Sequence, residues 1–394
     1  MNDDTEGSRT AAKQFLRRFG TQGGSKTEST GDSVGGSDPA APIGDARVKD
    51  ALDHLDNAIA QAQQRTGNAD AETAEQLKSV AAQGLRKLAT EGAAAKLSTE
   101  ERLGLEAVIR ADGSRPVFFI RKGQLDRTGV AVGNWNDALN MHAQHIADVV
   151  PAVGRIGLKQ NRSEYTGTGF LVGKNRVLTN RHVLEAIADQ AKDGSWKFKG
   201  DASIDFIAEQ DNAATLLCNI TSVLFAGPEP INEEIDPKKL DLALLEIGSP
   251  AGGKTLPEPL TISTKSGIVT TPRDLYVVGF PAQAGLYFGA GDPDVGTEYA
   301  KVLTSIFADE FGVKRLAPGH VDAGLGSVAD GGKNWAFEHD ASTLGGNSGS
   351  CIVDFGDGLS VIGLHFGGGP RHENYAHALA VLKPTFNSLE VNYA

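Results

Sequence analysis

The sequence is poor in sulfur and in aromatic rings. Its 394 residues include 2 cysteines and 2 methionines, and Phe, Trp and Tyr together make up 6%. Two cysteines, Cys218 and Cys351, cannot build a disulfide framework. A basic excess is lacking too: 38 Lys and Arg stand against 50 Asp and Glu, a formal net charge of −12. That balance excludes a general nucleic-acid grip, which needs a basic face to neutralise phosphates. No window reaches about 18 apolar residues, so no membrane span is expected. The start, MNDDTEGSRT, is acidic and polar, whereas a secretory leader opens basic and turns apolar. The expected compartment is the cytoplasm. Glycine, by contrast, is plentiful at 48 residues, which suits a turn-rich β protein. Length alone suggests two or three domain-sized units.

Residues 1–44 read as a disordered tail dense in Gly, Ser, Thr and Asp, with too few apolar groups to offset the cost of ordering. RTAAKQFLRRF, residues 9–19, is the exception: Phe15, Leu16 and Phe19 suit one sticky helical face. It reads as a transient helix or as a partner-docking peptide. Residues 45–112 read as a small helical regulatory or docking segment. Val48, Leu52, Leu55 and Ile59 recur at helical spacing, followed by Ala74, Leu77, Ala81, Leu85 and Leu88. A third helix opens on the capping box Ser98-Thr-Glu-Glu101. The faces are narrow and Ala-rich, so a partner surface is expected. Residues 113–149 form a connecting segment, with the apolar run PVFFI and a helix candidate near Trp135–Val149.

Beyond Pro151 the texture turns to β. Runs such as GFLVG, RVLTN, LDLALLEI, LYVVGF, CIVDF and SVIGLHF are separated by turn residues, which predicts an all-β sandwich or barrel. A stretch at about 284–335 interrupts the pattern with a helix candidate near Glu298–Phe307, and reads as an insertion.

Three segments carry chemistry, in the order His, Asp, Ser. GTGFLVGKNRVLTNRHV (167–183) is a hairpin leading to His182. LDLALLEI (240–247) opens on Asp241 and is otherwise apolar up to Glu246. GGNSGSCIVDF (345–355) is a glycine-flanked Ser348 leading into a strand. A serine hydroxyl needs a base to remove its proton during attack, and an imidazole titrates near neutrality. A carboxylate on the far ring nitrogen fixes the tautomer, and backbone N–H groups stabilise the oxyanion that forms. Asp236 is the alternative acid, but it precedes Pro237 and lacks a strand context.

These segments resemble the trypsin-like (chymotrypsin-fold) serine peptidases, with a closer likeness to bacterial glutamyl endopeptidases and high-temperature-requirement proteases. GTGF with TNRHV, the D-L-A-L-L strand, YVVGFP (276–281), GNSGS and GLHFGG occur in the family's order, over roughly 150–385. The resemblance implies a mainly β fold of two packed antiparallel β-barrels over 150–394, with the site between them. It implies a serine endopeptidase acting on protein or peptide substrates, without cofactor or metal. It makes His182 the general base, Asp241 its orienting carboxylate and Ser348 the nucleophile, with Gly346 and Ser348 N–H groups as the oxyanion hole. Thr343, five residues before Ser348, and His365 match the positions at which glutamyl endopeptidases bind a substrate carboxylate. Gly367 and Gly368 would leave the backbone open to an extended substrate. The family's free N-terminal amine beside the pocket is not evident, so any acidic preference is expected to be weak. Asn347 stands where zymogen-activated members carry Asp, so activation by a charge pair with a new N-terminus is not expected.

Other readings stay open. His365 is either a packed core histidine or a pocket residue. His372 and His377 in HENYAH suggest metal, but the HExxH order is absent and a strand or loop surface is expected. Cys351 is expected to face the core. The fold could instead carry a catalytically silent binding or scaffold protein. Residues 1–149 are expected to restrain the peptidase or dock a protein partner, with a bacterial stress or phage-response system as one setting.

Overall fold

The structure is a computed structural model. It describes residues 12–13, 15–16, 42–66, 71–158, 164–231, 236–282, 310–328, 334–343, 346–356, 360–369 and 372–394. The chain divides into two compact units. One holds the described residues up to Pro116 together with Gly129–Asn136. The other holds the described residues of Val117–Thr128, Asp137–Leu286 and Glu310–Ala394.

The first unit is built on three helices, α1 (Asp45–Thr66), α2 (Ala71–Glu91) and α3 (Thr99–Ala111). Their apolar stripes meet in one core, with Leu55, Leu77, Leu85, Leu105 and Ile109 fully buried. The capping box forms as expected. Glu101 N–H donates to Ser98 Oγ at 3.2 Å, and Ser98 N–H donates to Glu101 Oε2 at 2.7 Å. Gly104 lets α3 cross α2 closely, since a Cβ there would lie 2.6 Å from the Ala81 nitrogen. Ala12, Phe15 and Leu16 are helical and sit in the same core. These apolar groups, which the sequence sets apart from the rest of the tail, widen the narrow Ala-rich core and are buried by it. Phe19 and most of the rest of residues 1–44 lie outside the described residues.

The second unit opens on a hairpin, β1 (Phe118–Arg121) and β2 (Gln124–Asp126). The connecting segment is thus partly a piece of sheet: β1 pairs antiparallel with a strand of the second barrel. The helix candidate near 135–149 is two short helices, α4 (Asn136–Met141) and α5 (Ala143–Val149), interrupted at His142.

A first closed barrel follows. Its strands are β3 (Val153–Gly157), β4 (Gly167–Gly173) and β5 (Arg176–Thr179), then, after the small ribbon of β6 (Ala188–Gln190) and β7 (Trp196–Phe198), β8 (Ser203–Asp205), β9 (Leu217–Ala226) and β10 (Ala243–Ile247). The order around it is β10-β5-β4-β3-β8-β9, and β10 pairs with β9 to close it. Between β5 and β6 lies a short helix, α6 (Arg181–Ile187).

The second barrel consists of β11 (Asp274–Gly279), β12 (Arg315–Ala323), β13 (Ala336–His339), β14 (Cys351–Asp354), β15 (Val361–Gly369) and β16 (His372–Ala378). Its order is β11-β14-β15-β16-β13-β12, and the β11–β12 pairing closes it. Its core gathers Leu275, Val277, Phe337, Ile352 and Ile362. Both barrels are antiparallel, as the resemblance implies.

β12 corrects the expected insertion. Residues 283–309, including the helix candidate, lie outside the described residues, but Arg315–Ala323 is a barrel strand paired with β11 and β13. Pro318 and Gly319 hid it, because both punctuate a strand pattern. Gly319 is there for packing: a Cβ would lie 2.5 Å from the Ala341 nitrogen. Among the described residues, no helix is long and apolar enough to cross a membrane.

Candidate active site

The site starts from strand register. β5 and β10 pair antiparallel with Thr179 opposite Ala243. The chain leaves β5 into α6, whose second residue is His182, and Asp241 lies two residues ahead of β10. Side chains just past these paired ends therefore meet. The Asp241 carboxylate accepts twice from His182: Oδ1 from the backbone N–H at 2.9 Å, and Oδ2 from ring Nδ1 at 2.6 Å. A carboxylate only accepts, so Nδ1 carries a proton, and in the neutral ring Nε2 presents a lone pair. Asn180 Nδ2 donates to the Asp241 carbonyl at 2.8 Å. Asp241 is buried, while about 33% of the His182 side chain is exposed. Burial pulls the His182 pKa down. The charge and hydrogen bond of Asp241, with the charge of Glu185, outweigh it, so the net direction is up.

Ser348 occupies a tight turn leading to β14. Gly346 and Gly349 flank it with φ of +85° and +87°, the left-handed region that glycine enters freely. A Cβ on Gly349 would lie 1.9 Å from the Thr168 carbonyl oxygen. This turn belongs to the second barrel, yet β4 of the first barrel holds it. Thr168 N–H donates to the Ser348 carbonyl at 2.8 Å, and its hydroxyl donates to the Gly346 carbonyl at 2.9 Å. That hydroxyl also accepts from Phe280 N–H at 3.2 Å, while Thr179 Oγ1 donates to the Thr168 carbonyl at 2.7 Å. Gly167 lies where both halves converge: a Cβ there would be 2.6 Å from Val183 Cγ2 and 3.1 Å from the Ser348 carbonyl oxygen. The GTGF motif is thus the clamp that brings the Ser348 turn beside the residue following His182. Thr168 carries that clamp, although the sequence displays it only as one letter of a motif.

Gly349 N–H donates to the His365 carbonyl and Ser350 N–H to the Asn347 carbonyl. The N–H groups of Gly346 and Ser348 have no acceptor among the described residues. Asn347 is buried and carries no charge.

The expected specificity residues fall as follows. Gly367 and Gly368 lie on β15, half-buried and exposed respectively. Thr343 is half-buried, and its hydroxyl donates to Asn374 Oδ1 at 2.6 Å. Asn374 Nδ2 in turn donates to the Ala341 carbonyl at 2.8 Å. His365 is buried, with Nδ1 3.1 Å from His339 Nε2. Burial first, then the nearby His339 and His182, push its pKa well below the ordinary imidazole value. His377 corrects the surface reading. It is fully buried on β16, and its Nε2 accepts the Asp241 backbone N–H at 3.0 Å. The described residues hold no metal-binding group of three or more His, Cys, Asp or Glu. Cys351 faces the core, and burial pushes its thiol up to about 12.

Two closed antiparallel barrels, with a His–Asp pair on one and a glycine-flanked serine on the other, define a class: the double-barrel serine peptidases. The comparisons agree. The trypsin-like peptidase domain profile matches residues 167–364. A Lysobacter enzymogenes protein named a probable serine protease is 32% identical over 333 residues, covering 81% of this chain and 83% of that relative. The chain belongs to the trypsin-like serine peptidases and is a serine endopeptidase acting on protein or peptide substrates. Among solved structures it is similar to neuropsin from mouse brain, at 13% identity and a TM-score of 0.39, covering 60% of this chain and 93% of that one. It is also similar to the Rv3671c protease in its inactive form, at 17% identity and a TM-score of 0.35, covering 64% of this chain and 95% of that one.

Proposed function

We propose that His182, Asp241 and Ser348 are the catalytic triad of this peptidase. The observation that carries the reading is the two-point hold of Asp241 on His182, which puts a proton on Nδ1 and so, in the neutral ring, leaves the lone pair on Nε2. Ser348 Oγ attacks the peptide carbonyl while His182 Nε2 takes its proton. The N–H groups of Gly346 and Ser348 receive the oxyanion. His182 then protonates the leaving amine, an acyl-enzyme remains on Ser348, and water releases it. An extended substrate pairs with β15 at Gly367 and Gly368 as an added strand. Cleavage of a peptide library by wild type and Ser348→Ala tests this reading: near-wild-type hydrolysis by the variant overturns it.

The specificity we propose is a weak preference for an acidic residue. The Thr343 hydroxyl spends its proton on Asn374, so it has none to give a substrate carboxylate in this arrangement. If His365 accepts at Nδ1 from His339, its Nε2–H alone donates to that carboxylate, without a positive charge. A clear preference for cleavage after Lys or Arg contradicts this.

The N-terminal helical unit is proposed to restrain the peptidase or dock a protein partner. It has a core of its own, with Leu55, Leu77 and Leu85 fully buried. The proposed compartment is the cytoplasm, in keeping with two free, buried cysteines. A stress or phage-response setting is tested by identifying what co-purifies with the full chain and is lost without residues 1–112.

A further inference from the structure

Among the described residues the triad leaves His339, His365 and His377 buried and outside it, and of these His377 bonds directly to a proposed triad residue. His377 is fully buried on β16, opposite Leu364 of β15 and Ala336 of β13. Its ring stacks on Phe366, with centroids 4.2 Å apart and planes 17° from parallel. Packing alone does not account for an imidazole here. Nε2 takes the Asp241 N–H at 3.0 Å, so the ring proton must sit on Nδ1. Nδ1 is buried without a hydrogen-bond partner among the described residues. A buried unpaired donor is costly, and an apolar side chain would avoid it. That same apolar side chain would strand the Asp241 N–H. The imidazole is explained by the bond it receives.

We propose that His377 is a positioning residue. By accepting the Asp241 backbone N–H, it fixes where the Asp241 carboxylate holds the His182 ring relative to Ser348. The inference rests on the triad reading. Asp241 is held at three points: its N–H on His377, its carbonyl by Asn180 and its carboxylate by His182. Asp241 and His182 belong to the first barrel, while His377 sits on the second, which also carries Ser348. The bond therefore ties the acid–base pair to the nucleophile's own barrel. Burial pulls the His377 pKa down to about 4 against the opposing charge of Asp241, so the ring stays an acceptor where His182 is a base.

The test compares His377→Leu, which has no acceptor, with His377→Gln, whose amide oxygen reaches the Nε2 position. Both are assayed in the full chain beside Ser348→Ala. His377→Leu should lower kcat about 10- to 100-fold with KM within about twofold, the scale expected for a misplaced catalytic group. His377→Gln should restore most of kcat. The far-downfield proton signal of His182 Nδ1–H should shift in the Leu variant and return in the Gln variant. A folded His377→Leu protein with wild-type kcat overturns the proposal, as does equal loss in both variants with an unmoved His182 signal. Nitrogen-15 histidine spectra of the wild type give a readout that needs no variant: His377 must carry its proton on Nδ1, and a proton on Nε2 overturns the proposal. Failure of the triad reading is separate, since it shows as activity in Ser348→Ala.

Discussion

Asp241 grips His182 twice, at the backbone N–H (2.9 Å) and at ring Nδ1 (2.6 Å). One carboxylate thus fixes both the start of α6 and the tautomer of the ring it carries. Asp241→Asn keeps the shape but can present an amide N–H to Nδ1, which inverts the tautomer. It should lower kcat by about three to four orders of magnitude with little loss of stability. Retention of more than a tenth of wild-type kcat would contradict the assignment.

The same carboxylate sets a pH dependence. His182 must be neutral to act as base, and Asp241 raises its pKa. Activity should fall as pH drops through a value above that of an ordinary imidazole. The kcat/KM profile on a neutral peptide measures this. In Asp241→Ala the residual acid limb should move to lower pH, and an unmoved limb would assign it to another group.

Thr168 joins the barrels through its backbone N–H, on the Ser348 carbonyl, and through its hydroxyl. Thr168→Val keeps the shape but strands Phe280 N–H and the Gly346 carbonyl. Stability should fall by about 1–3 kcal/mol, the scale for buried groups left unsatisfied. kcat should fall as well, because the Gly346 carbonyl anchors the turn of the proposed oxyanion donors. Urea unfolding with steady-state kinetics checks both, and a loss of stability alone would remove Thr168 from the account of catalysis.

Much of this site was legible in the sequence, but unevenly. His182, Asp241 and Ser348 each sit in a local frame that displays its chemistry. Thr168 was visible only as a motif letter, because its work is done on Gly346, far along the chain. His377 reads from its sequence neighbours as a surface residue. Its burial follows from the β15–β16 register, which HENYAH does not encode locally. β12 was hidden by Pro318 and Gly319, which a barrel tolerates where pairing and packing allow. In the tail, Phe15 and Leu16 announced a sticky face, and the helical core they enter lies more than twenty residues away.

That packing is itself testable. Leu16→Ala in the full chain should destabilise the helical unit by about 2–4 kcal/mol, as for other buried leucines. Amide exchange across α1–α3 should speed up accordingly. Unchanged exchange would mean that the segment does not contribute to the core.

Lys314, whose pKa is shifted in the opposite direction to that of His182, sets a pH dependence of stability. It is fully buried, donating to the Val150 and Phe206 carbonyls at 2.8 and 2.7 Å, and burial pulls its pKa down to about 8. The unfolded chain, with lysine near 10.4, binds more protons between these values, so stability rises with pH there. Measured against Lys314→Met, wild type should gain on the order of 2–3 kcal/mol from pH 8 to pH 10. A flat difference would mean that the buried amine does not titrate in that window.

The central claim is that Ser348 is the nucleophile activated by His182. The most direct measurement is labelling of the full chain with a fluorophosphonate probe, read by intact mass and peptide mapping. The account predicts one adduct per chain, on Ser348, formed without prior clipping because Asn347 offers no charge partner to a new N-terminus. Labelling should be absent in Ser348→Ala and strongly slowed in His182→Ala. An adduct on another residue, or labelling that begins only after cleavage near residue 150, would contradict it.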